Sequence, residues 1–131
     1  MAAGTPAVPS SNKLLWTGRI VSGLIVLFLL VGNIYGIMRS AEMAPQAAKY
    51  GFPEGMLIKI NITCMICALI YAFPRTAVLG AILLTGYLGG ATITHIRVGE
   101  PFFFPILVAV LAWGGIFLRD EKLRTLIPLR R

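Results

Sequence analysis

Apolar residues occupy four long stretches of the chain, separated by short segments that carry most of its charges. The stretches cover residues 14–38, 56–73, 76–95 and 102–118. A transmembrane helix needs roughly 20 mostly apolar residues, with about 17–25 as the working range. The pattern therefore predicts an all-α, polytopic membrane protein in which residues 14–118 form a bundle of four transmembrane helices.

Polar residues interrupt the first two predicted spans. The first contains Arg19 and Asn33, and the second has Lys59 and Asn61 near its start. The second segment can cross a bilayer if the Lys59 side chain extends to the interface and Asn61 lies close to it. The third and fourth segments contain no Asp, Glu, Lys or Arg.

The connections between the stretches differ in length. Residues 39–55 are predicted to form a surface loop, with a short interfacial helix around residues 45–50. Pro74 favours a tight link between the second and third helices, because proline disfavours helix in the residue before it. Residues 98–101 form another tight turn. The second and third helices are therefore expected to be antiparallel neighbours.

Composition supports a membrane location. The 131 residues are 57% hydrophobic and 13% charged, whereas about 25% charged is typical of soluble domains. Intrinsic disorder requires low hydrophobicity and high charge, so most of the chain is excluded from that class. The formal net charge is +7. On such an apolar chain, this excess indicates charges sorted around a bilayer, and we expect no nucleic-acid partner.

The cations also orient the predicted bundle, since an even number of spans places both termini on one side. Termini inside the cell put eight cations inside: Lys13, Arg19, Arg75, Arg119, Lys122, Arg124, Arg130 and Arg131. Four then lie outside: Arg39, Lys49, Lys59 and Arg97. Because cytoplasmic segments carry the excess of Lys and Arg, we expect a multi-pass protein of the cell membrane with both termini cytoplasmic. Residues 1–13 would form a disordered tail and residues 119–131 a basic tail attracted to anionic lipid.

Small residues recur at the four-residue spacing that lets membrane helices approach closely. The first predicted helix contains Gly32 and Gly36, and the third contains Gly86 and Gly90. We expect these glycines to act in packing, with the third helix central and packed against the first. Arg19 and Arg75 are expected to be structural, and Arg19 to extend to the interface or pair with a carboxylate such as Asp120.

A candidate ligand site follows from the polar residues that topology brings to the outer end of the bundle. Intramembrane polar groups are costly, so each is a functional candidate. The candidate ligand-binding residues are His95, Arg97, Asn33, Tyr35, Asn61 and Glu100. His95 is the only histidine in the sequence. The alternative is that these groups satisfy one another or anchor helix ends in the headgroup region.

Motifs for cofactors and metals are missing from the sequence. Cys64 and Cys67 are three residues apart in a predicted membrane helix, where packing is the expected role. Two cysteines and one histidine make no persuasive metal site, so no metal is expected. No nucleotide-binding or hydrolase motif occurs, and the catalytic residues, if any, are unknown. The spans contain no carboxylate, which argues against active transport.

The residues from Tyr71 to Arg97, YAFPRTAVLGAILLTGYLGGATITHIR, resemble the central signature of the DoxX-like family. The start of the first helix, WTGR from Trp16, and the basic C-terminal segment are similar to the ends of that family. The resemblance implies a small bacterial membrane protein with four helices. Its matched positions are Arg19, Pro74, Arg75, Gly80, Gly86, Gly89, Gly90, His95 and Arg97.

The resemblance also suggests a functional context, because the wider DoxX superfamily includes a subunit linked to quinol oxidation or thiosulfate:quinone oxidoreduction. We therefore expect an accessory or small-molecule-binding subunit linked to membrane redox or stress metabolism. No cofactor is evident, although quinone binding fits the family, and independent enzymatic activity is not expected. The alternatives are a passive small-solute transporter or channel, and a non-catalytic assembly scaffold. Expected partners are the bilayer, a membrane protein or a second copy of the chain.

Overall fold

The structure, a computed structural model, describes residues 12–127, which are helical with no β-strand in that range. The predicted all-α class is confirmed. The helices are α1 (Asn12–Met38), α2 (Ser40–Lys49), α3 (Met56–Ala72), α4 (Ala77–Arg97), α5 (Phe103–Arg119) and α6 (Glu121–Leu126), and a 3₁₀ turn (Pro74–Thr76) precedes α4. The tail predicted over residues 1–13 lies outside the described residues except for its last two, which begin α1. Arg130 and Arg131 also lie outside them.

Four of the helices are long and apolar. α1 and the segment Pro74–Arg97 have the length and composition of membrane-spanning helices. α3 and α5 are apolar as well, but each has 17 residues. Large apolar side chains cover the outside of the bundle: Leu24, Leu27, Val31 and Val110 are each at least 58% exposed. So large an apolar exterior is unfavourable in water and is suited to lipid.

The four long helices form a closed ring. α1 packs against α3 and α5, and α4 packs against the same two helices on the other side. α1 and α4 are therefore diagonal and do not pack against each other. The prediction that the third long helix packs against the first is wrong. The apolar core between them includes Leu29, Leu84 and Ile116.

Glycines allow neighbouring helices of this ring to approach closely. Two of these close contacts occur at Gly80 and Gly18, which are not among the glycines predicted to act in packing. A Cβ atom on Gly80 of α4 would collide with the backbone of Tyr71 on α3. A Cβ on Gly18 of α1 would lie 2.7 Å from the carbonyl oxygen of Gly115 on α5. Both distances are too short for a real side chain, so these glycines fix the α3–α4 and α1–α5 contacts.

Of the four glycines predicted to act in packing, only Gly36 makes such a contact. Its Cβ position would lie 2.9 Å from Oδ1 of Asn61, across the α1–α3 interface. Gly32, Gly86 and Gly90 have no neighbouring atom within 4 Å of the position a Cβ would take. These three glycines therefore face the outside of the bundle and do not mediate packing within the chain. The four-residue spacing identifies a smooth helix face but not the face that the fold uses.

A buried tyrosine ties three helices together. Tyr71 on α3 is fully buried, and its hydroxyl donates to the carbonyl oxygen of Ala112 on α5 at 2.7 Å. The same hydroxyl lies 3.0 Å from the hydroxyl of Ser22 on α1, which donates to it. Gly115 leaves the space for this contact, since a Cβ there would lie 3.1 Å from the Tyr71 hydroxyl. The Tyr71 side chain therefore lies entirely inside the bundle.

The segment between α1 and α3 is more ordered than predicted. A short helix was expected around residues 45–50, and α2 covers Ser40–Lys49. It begins one residue after α1, and an ion pair of 2.9 Å between Arg39 and Glu42 supports its first turn. Gly51 and Gly55 then adopt φ angles of +85° and +80°, a region that favours glycine, and turn the chain into α3.

Candidate functional site

The candidate site is centred on Glu100, in the turn between α4 and α5. Gly99 adopts a φ of +73°, and the Glu100 amide donates to the carbonyl oxygen of His95 at 3.0 Å, which folds the turn back on α4. The Glu100 carboxylate then faces α2. Its contacts define the Glu100 cluster, which consists of Gln46, Lys49, Tyr50, His95 and Glu100.

Four side chains converge on this carboxylate. Lys49 Nζ donates to it at 2.8 Å and the Tyr50 hydroxyl at 2.6 Å. His95 Nδ1 lies 3.2 Å from its second oxygen, and Gln46 Nε2 lies 3.4 Å from the first. The Tyr50 and His95 rings also meet edge to face, with centroids 5.5 Å apart. The cluster thus joins the C-terminal end of α2 to the end of α4.

The charges of the cluster fix its protonation pattern. Hydrogen bonds from Lys49, then from Tyr50, lower the pKa of Glu100 from 4.5 to about 2, so it is ionised at neutral pH. The same contact raises the pKa of Lys49, and burial raises the pKa of Tyr50. An ionised carboxylate only accepts hydrogen bonds, so His95 Nδ1 carries the proton in this contact.

This arrangement leaves the other ring nitrogen of His95 available. Among the described residues, His95 Nε2 has no hydrogen-bond partner, and the side chain is 30% exposed. Arg97 is exposed and lies beside the same segment, with Nη2 3.9 Å from the position a Cβ on Gly51 would take. His95 and Arg97 are therefore adjacent to consecutive residues, Tyr50 and Gly51.

The three other predicted ligand residues do not join this cluster. Asn33 is buried in α1 and donates to the carbonyl oxygen of Leu29 at 2.6 Å. Asn61 donates to the carbonyl oxygen of Leu57 at 2.8 Å while packing on Gly36. In each case the amide bonds one turn back along its own helix, which satisfies it without a ligand.

Tyr35 is also separate from the Glu100 cluster. It is 53% exposed, and its ring lies 5.5 Å from the Arg39 guanidinium. A shared depth along the bundle therefore does not place these side chains on the same face. Of the six predicted residues, the structure brings together His95 and Glu100, with Arg97 beside them.

The sequence of this chain matches a known family. The sequence model of the DoxX-like family matches residues 20–115, well over half of the chain. The chain belongs to the DoxX-like family. It is accordingly a membrane protein, and the resemblance inferred from residues 71–97 is confirmed. No curated protein and no solved structure matches it.

Three residues of the Glu100 cluster were missed as site candidates in this DoxX-like protein. Gln46, Lys49 and Tyr50 follow the i, i+3, i+4 spacing that places side chains on one face of a helix. That spacing is visible in the sequence, within the segment predicted to be a surface loop. The match to the family includes all of them.

The cysteines and predicted structural arginines lie elsewhere in the DoxX-like bundle. Cys64 and Cys67 are free thiols buried in the core, and no group of three metal-ligating side chains occurs between residues 12 and 127. Arg75 is exposed in the 3₁₀ turn. Arg19 stacks over Trp16 at 5.3 Å, and among the described residues it forms no ion pair with Asp120.

Proposed function

We propose that this DoxX-like protein crosses the cell membrane four times, with both termini in the cytoplasm. The closed ring of four apolar helices and its apolar exterior support this topology. Helices of 17 residues are about 25 Å long, somewhat short of a hydrocarbon core of roughly 30 Å. Local thinning of the bilayer and extended side chains such as Lys59 compensate for such a mismatch.

Within this topology, the protein acts as an accessory subunit that binds a quinone headgroup, or a similar small carbonyl compound, at the Glu100 cluster. The observation that carries the proposal is the His95 side chain: Glu100 holds Nδ1 in place, and Nε2 has no partner among the described residues. In a ligand-binding histidine, a hydrogen bond at one ring nitrogen orients the other nitrogen for the ligand.

The contacts of such a ligand follow from the chemistry of the two basic side chains. With Nδ1–H bonded to Glu100, Nε2 accepts a hydrogen bond from a quinol hydroxyl. When protonated, Nε2 donates to a quinone carbonyl. The neighbouring Arg97 guanidinium stabilises the anionic form of the headgroup. The isoprenoid tail would lie along the apolar exterior of the bundle.

Titration of purified protein with a short-chain quinone tests this function. His95→Ala and Arg97→Ala are each expected to weaken binding by about tenfold or more, equivalent to about 1.4 kcal/mol. Arg75→Ala is the matched control, because Arg75 is an exposed arginine outside the Glu100 cluster. Equal quinone affinity in all four proteins would exclude the site.

A second candidate function is an assembly scaffold, favoured by the open glycine face of α4. Gly86 and Gly90 have no atom within 4 Å of their Cβ positions, so another helix could approach this face closely. Cysteine crosslinking at Ile82 or Ile93, which flank these glycines on the exposed surface, would detect such a neighbour. No comparable observation supports the passive-transport alternative.

A further inference from the structure

Two arginines border the same two cavities at the end of the bundle opposite the Glu100 cluster. Arg19 lies near the start of α1, and Arg119 is the last residue of α5. The close approach at Gly18 brings them together, since a Cβ on Gly18 would lie 3.0 Å from the Cβ of Arg119. The α1–α5 contact therefore places two guanidinium-bearing residues at one point on the bundle surface.

Neither arginine is neutralised within residues 12–127, where the structure shows no ion pair for either. Arg19 stacks over Trp16, and the Arg119 guanidinium lies 5.9 Å from the centre of the Tyr71 ring. The Nε atom of Arg119 is buried without a hydrogen-bond partner among the described residues. A buried donor left unpaired is costly, so this nitrogen favours an anionic acceptor.

Two cavities meet at these arginines, and their linings differ in character. The first, of about 430 Å³, lies at the end of the bundle and adds the Lys122 side chain to the two arginines. Asp120 and Glu121 also border it, but the Asp120 carboxylate caps α6 by accepting from the amides of Lys122 and Leu123. Three cationic residues against two carboxylates leave the polar end of the site with a net positive charge.

The second cavity, of about 400 Å³, continues from the arginines along α1. Its walls are mostly apolar and include Gly23, Val26, Leu27 and Leu30. A cationic end joined to an apolar groove matches an amphiphile with an anionic headgroup and a hydrocarbon chain. Arginine suits phosphate because its guanidinium donates two parallel hydrogen bonds.

We propose that Arg19 and Arg119 bind the phosphate of an anionic phospholipid, whose acyl chain lies in the groove along α1. Basic sites between membrane helices on the cytoplasmic side bind anionic headgroups in this way. The site is distinct from the Glu100 cluster, so it does not depend on quinone binding. Inorganic phosphate shares the headgroup chemistry but has no chain to fill the groove.

Lipid titration of the detergent-purified chain, read by native mass spectrometry, tests the site with three ligands. Phosphatidylglycerol is expected to bind at least about tenfold more tightly than phosphatidylcholine or inorganic phosphate. Arg19→Gln should reduce phosphatidylglycerol binding by about tenfold, and Arg19 is exposed, so the fold should tolerate the change. Arg75→Gln should leave binding unchanged, because Arg75 is exposed and lies outside both cavities.

A variant that fills the groove tests the contribution of the acyl chain separately from that of the headgroup. Gly23→Leu should place a side chain in the apolar cavity that Gly23 lines, because no atom lies within 4 Å of the Gly23 Cβ position. It is expected to weaken phosphatidylglycerol binding while leaving Arg19 in place. Equal binding of phosphatidylcholine, equal binding of inorganic phosphate, or unchanged binding in both Arg19→Gln and Gly23→Leu would each overturn the proposal.

Discussion

The carboxylate of Glu100 lies 2.6 Å from the hydroxyl of Tyr50, a residue 50 positions earlier in the chain. This contact joins α2 to the turn between α4 and α5, and Lys49 adds an ion pair to the same carboxylate. Lys49 is half-exposed in this ion pair, so the net contribution of the pair to stability is small. Its main consequence is positional, because the carboxylate that holds α2 also orients His95.

Acid should loosen the Glu100 cluster. The pKa of Glu100 is lowered from 4.5 to about 2 in the folded protein, so its stabilisation is complete above 4.5 and is lost as the pH falls toward 2. Thermal unfolding followed across this range should show wild type more stable than Glu100→Gln at neutral pH. The two proteins should converge near pH 2. A stability difference between wild type and Glu100→Gln that does not change with pH would contradict a lowered pKa of Glu100.

Gly80→Ala should be strongly destabilising, because the added methyl group collides with the backbone of Tyr71. Overpacking of this kind costs about 1–3 kcal/mol, and backbone gives way less readily than a side chain. Thermal unfolding in detergent measures the effect. Gly86→Ala is the matched control on the same helix: its Cβ position is open and alanine favours helix, so stability should be unchanged or slightly higher. Equal melting temperatures for the two variants would contradict the α3–α4 packing.

Tyr71→Phe should lower the free energy of unfolding by about 0.5–1.5 kcal/mol, through loss of the hydrogen bond to Ala112. A double-mutant cycle with Ser22→Ala should show coupling, since the two hydroxyls lie 3.0 Å apart. Tyr35→Phe provides the control, because Tyr35 is exposed on the same bundle. Additive effects of Tyr71→Phe and Ser22→Ala would exclude the contact.

The proposed topology predicts the location of reporters fused to the chain. A reporter after Arg131 should report a cytoplasmic location, and one inserted beside Glu54, between α2 and α3, should report the opposite side. The insertion lies in a turn, where the chain tolerates added residues best. Reporters found on the same side of the membrane would rule out four spans.

The sequence predicts where the helices lie better than it predicts which helices pack against each other. Apolar runs of spanning length identify the long helices, because burial in lipid imposes a strong constraint on composition. The faces through which the helices contact one another are not predicted in this way. Gly86 and Gly90 show the expected spacing yet face outward, while Gly80 and Gly115 make the close contacts. The difference depends on the rotation of each helix about its axis, which the spacing of glycines does not define.

The candidate site, too, is only partly predictable from the sequence. His95 and Glu100 are close in sequence, so a tight turn brings them together, and their proximity was predictable. Tyr50 reaches Glu100 through a side-chain contact between residues 50 positions apart, and no local pattern encodes that contact. Asn33 and Asn61 were predicted to line a pocket, but each bonds to its own helix backbone, an alternative always available to asparagine.

Native mass spectrometry of the protein purified from quinone-containing bacterial membranes measures directly whether a quinone is bound through His95. We expect a quinone to be retained by wild type and by Arg75→Ala, and lost in His95→Ala. A quinone retained equally by His95→Ala, or no quinone on wild type, would contradict the assignment of His95 as the headgroup ligand.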